Sequence, residues 1–372
     1  MQSPVRSSRL TRGLAQSLIG LTVALGALAA LGLANAAGAT ATAATSQSGC
    51  PSAACSAVES AVKAATHVTS VPQQLTPALQ SAAGDILFPP DAAGDCGGVY
   101  STVTLPQCAP DGTNPSAPRI ALLGDSEAQT WSISVDALAR RTGYSFLGLA
   151  KTECTMADLE TQVPYSHGAY ASCPAFRKYA IARINQFNPK IIVISTLAEQ
   201  FYTVNGKAIS PSAYTAALVK TIKSLQHPGR QIFVVSDPPH QEEEPPNCLA
   251  AHESNFSGCM TSLSASLSFQ NDGAWQSALE AATTKAGASY VNVTPWFCSK
   301  NTCPLVIRNT EVYLDYGHMT STYGVFLSGV LQAALGITDV CAQASASSCN
   351  TYSAVASLPY YTQAELAALG KT

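Results

Sequence analysis

The chain has 372 residues, and 47% of them are hydrophobic, which is enough to bury a sizeable core and suggests one large domain or one domain with extensions. The formal net charge is only −3. No lysine- or arginine-rich tract occurs, so the composition argues against nucleic acid as a partner.

The N-terminus has the pattern of an export signal. Three arginines at its start precede an almost wholly apolar run from Leu14 to Leu33, and Ala34-Asn35-Ala36 fits a small-x-small cleavage site. The pattern predicts a signal peptide over residues 1–36. An uncleaved membrane anchor is the alternative, because the apolar run approaches spanning length. In either case we expect the rest of the chain to be secreted or extracytoplasmic.

All 12 cysteines lie after this segment, and an even count in an exported chain predicts disulfides. Neither Cys-x-x-Cys knuckles nor neighbouring histidines occur, so no metal site is expected, and the sequence indicates no cofactor. The cysteines fall into six couples that are close in sequence. Nearest-neighbour pairing is the simplest connectivity: Cys50–Cys55, Cys96–Cys108, Cys154–Cys173, Cys248–Cys259, Cys298–Cys303 and Cys341–Cys349.

Residues 37–70 are interpreted as a linker followed by a short helix. The first part, 37–48, is rich in Ala, Thr and Ser and has almost nothing to bury, so we predict that it is poorly packed. The segment from Ser56 to His67 is compatible with a short amphipathic helix.

The main domain is predicted to span residues 71–337. It begins with an irregular leader, Pro72 to Cys108, which is rich in Pro, Gly and Asp. Residues 338–372 form a C-terminal extension that carries the last two cysteines, and the sequence does not indicate its role.

Strands and helices alternate through the main domain, which predicts an α/β fold with a mainly parallel sheet and right-handed crossovers. The β-branched run Ile191 to Ile194 is typical of a buried parallel strand. The predicted strands are Ile120–Leu123, Tyr144–Leu149, Ile191–Ile194, Gln231–Val235 and Ser289–Val293. The predicted helices are Glu127–Gly143, Pro174–Phe187, Pro211–Leu225, Asp272–Ala286 and Thr320–Leu335.

One serine lies where the first of these strands turns into a helix, in Gly124-Asp125-Ser126. A serine there projects from the carboxyl edge of the sheet, where open α/β sheets bind ligands, and its own N–H lies at a helix N-terminus, where anions are favoured. An acyl-transfer nucleophile needs both an exposed hydroxyl and a nearby donor for the oxyanion. We interpret Asp125 as fixing the turn through local backbone hydrogen bonds.

A base and its partner occur near the other end of the domain. Asp315 and His318 are three residues apart on a predicted loop, just before the closing helix. By contrast, we interpret His240, which follows Asp237-Pro238-Pro239 after the fourth strand, as a surface residue. The alternative for the whole pattern is a turn serine and an unrelated surface histidine.

Gly-Asp-Ser early and Asp-x-x-His late, in these settings, resemble the SGNH hydrolase superfamily. Three further features resemble one branch, the extracytoplasmic SGNH domain usually fused to membrane acyltransferases of family 3. They are the leader from Val71 to Leu79 with a following Asp-Cys-Gly, the cysteine pair around the second strand region, and Asp237-Pro238-Pro239. The resemblance runs from about Val71 to about Leu335. It implies a three-layer α/β/α sandwich of SGNH or flavodoxin-like type.

The resemblance also implies roles for individual residues. Ser126 would be the nucleophile, His318 the general base and Asp315 the group that orients the base. We therefore expect Ser126 Oγ to lie near hydrogen-bond distance of the imidazole, roughly 2.6–3.2 Å.

The oxyanion hole is less well defined. The superfamily usually has a glycine after the second strand and an asparagine after the third. Gly148 lies near the first place, and no asparagine occurs at the second, where Thr196 or Gln200 is a candidate donor. Ordinary packing and loop roles are the alternative for all three, and Ser126 N–H is the donor that we favour.

The pattern predicts acyl transfer through a Ser126 ester. The resemblance favours O-acetyltransferase action on a cell-envelope polysaccharide, with a separate membrane protein supplying acetyl groups. A carbohydrate esterase or general ester hydrolase with the same residues is the second hypothesis, and a non-catalytic envelope-binding module is the third. The sequence does not indicate the acceptor glycan, the acyl chain or the oligomeric state.

Overall fold

The structure, a computed structural model, describes residues 46–47, 52–85, 96–110, 112, 114–163, 167–199, 201–268, 272–342 and 349. All of these belong to one compact unit, Ala43–Thr372. Within the described ranges, no helix combines the length and the apolar character that crossing a membrane requires. The predicted signal segment and most of the predicted linker lie outside these ranges.

The centre of the fold is a seven-stranded sheet in which every pair of neighbours is parallel, in the order β1-β7-β6-β5-β3-β4-β2. The five central strands are the five that the sequence predicted, and their order is that of a flavodoxin-like sheet. Their bounds, with those of two short edge strands, are β1 Ser46–Gln47, β2 Gly97–Gly98, β3 Arg119–Gly124, β4 Ser145–Lys151, β5 Ile191–Ser195, β6 Gln231–Val235 and β7 Ser289–Val291.

Helices cover both faces of the sheet, so the three-layer α/β/α prediction is confirmed. Strand side chains alternate between two apolar layers: Ile120 and Leu122 of β3 enter one, and Ala121 and Leu123 enter the other. The helices are α1 Ala53–Ala65, α2 Leu79–Ala82, α3 Ser126–Thr142, α4 Ser172–Phe187, α5 Pro211–Leu225, α6 Pro245–Ala251, α7 Leu263–Ser268, α8 Asp272–Lys285, α9 Thr294–Phe297 and α10 Ser321–Ala334. Residues of α1, α3 and α10 line the first layer, and residues of α4, α5 and α8 line the second.

Local sequence signals explain where the longer helices begin and end. The Ser210 side chain caps α5 by accepting a hydrogen bond from Ala213 N–H, and Pro211 occupies the first helical turn. Thr320 caps α10 in the same way. Helix α3 ends at Gly143, whose φ of 77° is the left-handed conformation that glycine favours.

The leader is held to the domain by hydrogen bonds, and the Cys96–Cys108 disulfide closes a loop within it. Val71 N–H donates to Glu253 O, and Thr76 pairs with the hairpin of β8 (Val306–Ile307) and β9 (Thr310–Glu311). The buried Lys151 at the end of β4 donates to Thr102 O of the leader. The leader therefore forms one side of the domain at the carboxyl end of β4.

Five disulfides join cysteines that are near neighbours in sequence: Cys96–Cys108, Cys154–Cys173, Cys248–Cys259, Cys298–Cys303 and Cys341–Cys349. Cys55 is also disulfide-bonded, and its predicted partner, Cys50, lies outside the described residues. Of the predicted linker, only Ser46 and Gln47 are described, and they pair with β7 instead of lacking partners. Most of the C-terminal extension lies outside the described ranges, but Val340 N–H donates to Thr142 O at the end of α3.

The closest backbone approach at the carboxyl edge occurs at Gly124, the last residue of β3. A Cβ atom there would lie 1.7 Å from Ser195 O of β5 and 2.5 Å from the Ala128 side chain. Only glycine at position 124 therefore allows β3 to pair with β5 as far as Ser195. It also leaves room for α3, which begins two residues later.

We expect Gly124→Ala to lower the free energy of unfolding by about 3 kcal/mol or more, because the backbone of β5 has to move. The matched control is Gly329→Ala in α10, where an added Cβ meets nothing within 4 Å. That change should instead raise stability by up to about 1 kcal/mol, through helix propensity. Urea unfolding of both variants measures the difference, and equal effects would contradict this account of Gly124.

Candidate active site

Ser126 is the accessible point in an otherwise buried stretch. From Ile120 to Asp136 it is the only residue that is not buried. It is also the first residue of α3, and its N–H and its Oγ make no hydrogen bond within the described part of the chain. A free N–H and the positive end of the helix dipole lie beside a reachable hydroxyl, which is an arrangement suited to a developing oxyanion.

Asp125 holds this turn against the neighbouring strand. Its Oδ1 accepts the Glu127 N–H at 3.1 Å, and its Oδ2 accepts the Thr196 hydroxyl at 2.7 Å and the Leu197 N–H at 2.9 Å. Burial raises the pKa of Asp125 to about 6, although these hydrogen bonds oppose the rise. Asp125 thus fixes the turn, as its sequence position suggested, and also ties β3 to the loop after β5.

Asp315 and His318 lie on one tight loop. His318 Nδ1 is 2.8 Å from Asp315 Oδ2, and Asp315 Oδ1 accepts the backbone N–H groups of Gly317 and His318. Burial favours the neutral acid, but the hydrogen bond and charge of His318, together with these backbone donors, outweigh it and lower the pKa of Asp315. An ionised Asp315 fixes the orientation of the imidazole and keeps the proton on Nδ1.

This loop lies against the start of α3. His318 Nε2 is 3.4 Å from Oε1 of Glu127, the residue that follows Ser126. Ser126 Oγ itself makes no hydrogen bond to the imidazole, and no described residue is a hydrogen-bond partner of His318 Nε2. The structure therefore brings Ser126 and His318 to the same edge without the direct bond that we expected. Such bonds are often long or poorly aligned until substrate is bound.

His240 is partly buried, whereas the interpretation from sequence was a surface residue. Its ring packs on the Asp315–His318 loop so closely that a Cβ on Gly317 would lie 2.6 Å from it. Burial, helped by the nearby His318, lowers the pKa of His240 to about 4. Gln241 N–H donates to Tyr316 O at 2.8 Å, so the segment after β6 supports this loop directly.

Gly148, one of the expected oxyanion residues, lies below the carboxyl edge of the sheet. Gly148 lies inside β4 opposite Leu122, whereas Gly124 pairs with Ala150, so Gly148 is about 7 Å below the end of β3. An added Cβ on Gly148 would contact the Phe146 ring, which fits a packing role.

The other two side-chain candidates gain no support from the geometry. The Thr196 hydroxyl already donates to Asp125 and accepts the Met156 N–H, so its proton is not available to an oxyanion. Gln200 lies outside the described residues. Among the candidates from sequence, the geometry favours the Ser126 N–H.

Sequence reasoning missed two acidic residues at this edge. Glu127 is 1% exposed and faces His318, although an acidic residue in a first helical turn usually reflects only the helix dipole. Glu153, just after β4, has a φ of 51°. This is a conformation that glycine favours, and it occurs after the second predicted strand, where we sought a glycine. The Glu153 N–H has no hydrogen-bond partner among the described residues.

This chain has similarities to one known family and to solved structures. The model of the SGNH domain (fused to AT3 domains) matches residues 93–332, more than half of the chain. Among solved structures, the periplasmic domain of a lipopolysaccharide acetyltransferase from Salmonella ser. Paratyphi A is similar at 15% identity and a TM-score of 0.44, covering 57% of this chain and 81% of that one. A carbohydrate acetylesterase family member from Sinorhizobium meliloti is similar at 14% identity and a TM-score of 0.33, covering 59% of this chain and 99% of that one. Both likenesses are too distant to support an assignment, and no curated protein matches.

The three hydrogen bonds to Asp125 predict a large loss of stability when its carboxylate is removed. Asp125→Ala leaves buried donors on Glu127, Thr196 and Leu197 without an acceptor, at about 1–3 kcal/mol each, so we expect a total of about 3 kcal/mol or more. The control is Asp158→Ala, whose half-exposed carboxylate has only loose ion pairs with Arg177 and Lys220. It should change the free energy of unfolding by less than about 1 kcal/mol. Urea unfolding compares the two, and a loss below about 1 kcal/mol for Asp125→Ala would contradict the proposed tie.

Proposed function

Because this chain belongs to the family of SGNH domains fused to AT3 domains, we propose that it is an exported serine acyl-transfer enzyme, most specifically an O-acetyltransferase for a cell-envelope polysaccharide. Membership of this family establishes the coarser statement, that the chain is an acyltransferase or ester hydrolase. The finer assignment rests on the residues at the carboxyl edge and on the family's link to membrane acyltransferases.

The observation that carries the proposal is the Asp315–His318 pair, joined at 2.8 Å and lying beside the helix that begins at Ser126. In the proposed mechanism, Ser126 Oγ attacks the acyl carbonyl while His318 Nε2 takes its proton. His318 then gives this proton to the leaving group, which departs as the acyl-enzyme forms. Asp315 accepts the Nδ1 hydrogen bond throughout and stabilises the imidazolium.

The second half of the reaction reverses these roles. A hydroxyl of the acceptor gives its proton to His318 Nε2 as its oxygen attacks the Ser126 ester, and Ser126 recovers the proton on leaving. The N–H of Ser126 supports the oxyanion in both halves, and we propose the Glu153 N–H as its companion. One lost donor in a known hydrolase costs about 3–4 kcal/mol, so the second donor is important for the rate.

An ester hydrolase with the same residues is the alternative within this chemistry. It differs only in using water in place of a sugar hydroxyl at the second step. The non-catalytic binding module has less support, because Ser126 is accessible and Asp315 and His318 are hydrogen-bonded to one another.

The proposed partners follow from the family. Its domains are fused to membrane acyltransferases, which would supply acyl groups from the membrane. We propose that this chain meets such a protein as a separate partner outside the cytoplasm, after export by the segment 1–36. Five disulfides in the described residues are consistent with an oxidising compartment.

The roles of the three residues predict an ordered series of losses. We expect Ser126→Ala and His318→Ala to lower kcat/KM for a small activated acetyl ester by about 10⁴-fold or more, and Asp315→Asn to lower it less, because Asp315 only orients the base. His227→Ala, at an exposed position in the loop before β6, is the control and should retain full activity. Circular dichroism should show each variant folded. Full activity of folded Ser126→Ala would contradict the proposal.

A product assay separates the three functions. The mature protein receives an activated acetyl ester with and without cell-envelope glycan fragments, and free acetate and acetylated glycan are measured together. We expect acetylated glycan to form while acetate release falls, because a sugar hydroxyl competes with water for the Ser126 ester. Release of acetate alone, whatever glycan is added, would identify an ester hydrolase. No product, together with no labelling of Ser126 by a fluorophosphonate, would identify a binding module.

A further inference from the structure

The imidazole of His318 lies between two carboxyl groups. Asp315 faces Nδ1 at 2.8 Å, and Glu127 Oε1 faces Nε2 at 3.4 Å. In the proposed mechanism Nε2 is the atom that takes the Ser126 proton. Glu127, the residue next to the nucleophile, therefore places a carboxyl group beside the reacting nitrogen.

Glu127 lacks the contacts that usually stabilise a buried acid. Its carboxyl is almost completely buried, and Oε2 has no hydrogen-bond partner among the described residues. The buried Asp125, two residues earlier, has backbone and hydroxyl donors on both of its oxygens. A buried carboxylate without donors is costly unless a cation or a proton compensates it. Among the described residues, the basic group that pairs with Glu127 is His318, which argues against a purely structural role.

We propose that Glu127 is a positioning residue that acts through His318: its carboxyl stabilises the protonated imidazole and sets the pH at which Nε2 becomes free to accept the Ser126 proton. The catalytic meaning of this inference rests on the proposed function, whereas the pairing of Glu127 with His318 does not. No group besides the enzyme and its substrates takes part. The proton moves from Ser126 Oγ to Nε2, between the two carboxyls, and then to the leaving group.

The pKa values of Glu127 and His318 are both raised, so each group affects the protonation of the other. Burial raises the pKa of Glu127, and Asp125, Asp315 and Glu199 raise it further against the opposing effect of His318. For His318, burial lowers the pKa, but the carboxyls of Glu127, Asp315 and Asp125 outweigh this and raise it well above the ordinary value of about 6.5. Two more titratable groups act over a longer range, since His318 also influences the pKa values of His240 and Glu153.

The test measures the pKa of His318 directly. Full-length Ser126→Ala protein with ¹³C-labelled histidine is titrated by NMR, and the His318 signal is assigned by its loss in His318→Asn. Glu127→Gln keeps the shape of the side chain and removes its charge. We expect it to lower the His318 pKa by about one unit, which is a tenfold fall in proton affinity. The matched control is Glu153→Gln, which removes a half-buried carboxyl that interacts with His318 without a contact to it, so its effect should be smaller.

A fall that is larger in Glu127→Gln than in Glu153→Gln supports the inference, and a fall no larger than in Glu153→Gln overturns it. In protein that retains Ser126, the acidic limb of the pH profile of kcat/KM for a small acetyl ester should move to lower pH with Glu127→Gln. The reason is that a His318 with a lower pKa loses its proton from Nε2 at a lower pH. The NMR result does not depend on turnover. Absence of ester turnover by the unmodified chain would contradict the proposed function and leave the NMR result standing.

Discussion

The site depends on one buried carboxylate that joins two strands. Asp125 accepts hydrogen bonds from the start of α3 on one oxygen and from the loop after β5 on the other. β3 and β5 flank the point where the strand order of the sheet reverses. The chain continues from β3 into a helix on one face and from β5 into a helix on the other face, an arrangement that forms a crevice above the paired strand ends. Asp125 bridges that crevice at its base, while Gly124 allows the backbones to approach closely. These two residues thereby fix the position of Ser126 at the carboxyl edge of the sheet. The other residues of the candidate site lie around this position.

Most of the central sheet could be predicted from sequence because its signals are local. The β-branched run of β5 is recognisable within a few residues of sequence. The same is true of α5, which has a serine at its N-cap and a proline in its first turn. The edge strands could not be found in this way. β1 and β2 have two residues each, too few for any period, and they are strands only because β7 and β4 offer unpaired backbone. The hairpin of β8 and β9 could not be predicted for the same reason, since each of its strands has two residues.

In the candidate site, too, the contacts between residues near in sequence could be predicted, and those between distant residues could not. Asp315 and His318 could be paired from sequence because three residues on a loop bring their side chains together. Glu127 could not be paired with His318, since the two are far apart in the chain and an acid in a first helical turn has an ordinary explanation. His240 was interpreted wrongly because its burial depends on the Gly317 backbone, which no local pattern reveals. We looked for a second oxyanion donor at a glycine, so the left-handed backbone at Glu153, which we propose for this role, was not considered.

The disulfides have a consequence for the order in which parts of the fold become fixed. The two cysteines of each are at most 19 residues apart, and four of the five join segments near the carboxyl edge of the sheet. The sheet itself is held by two apolar layers in which buried thiols would still pack as small hydrophobic groups. Thiol oxidation therefore stabilises the segments around the crevice more than it stabilises the sheet. A chain kept reduced would have its strands in place but looser segments around Ser126 and His318, so thiol oxidation is the step that completes this edge of the domain.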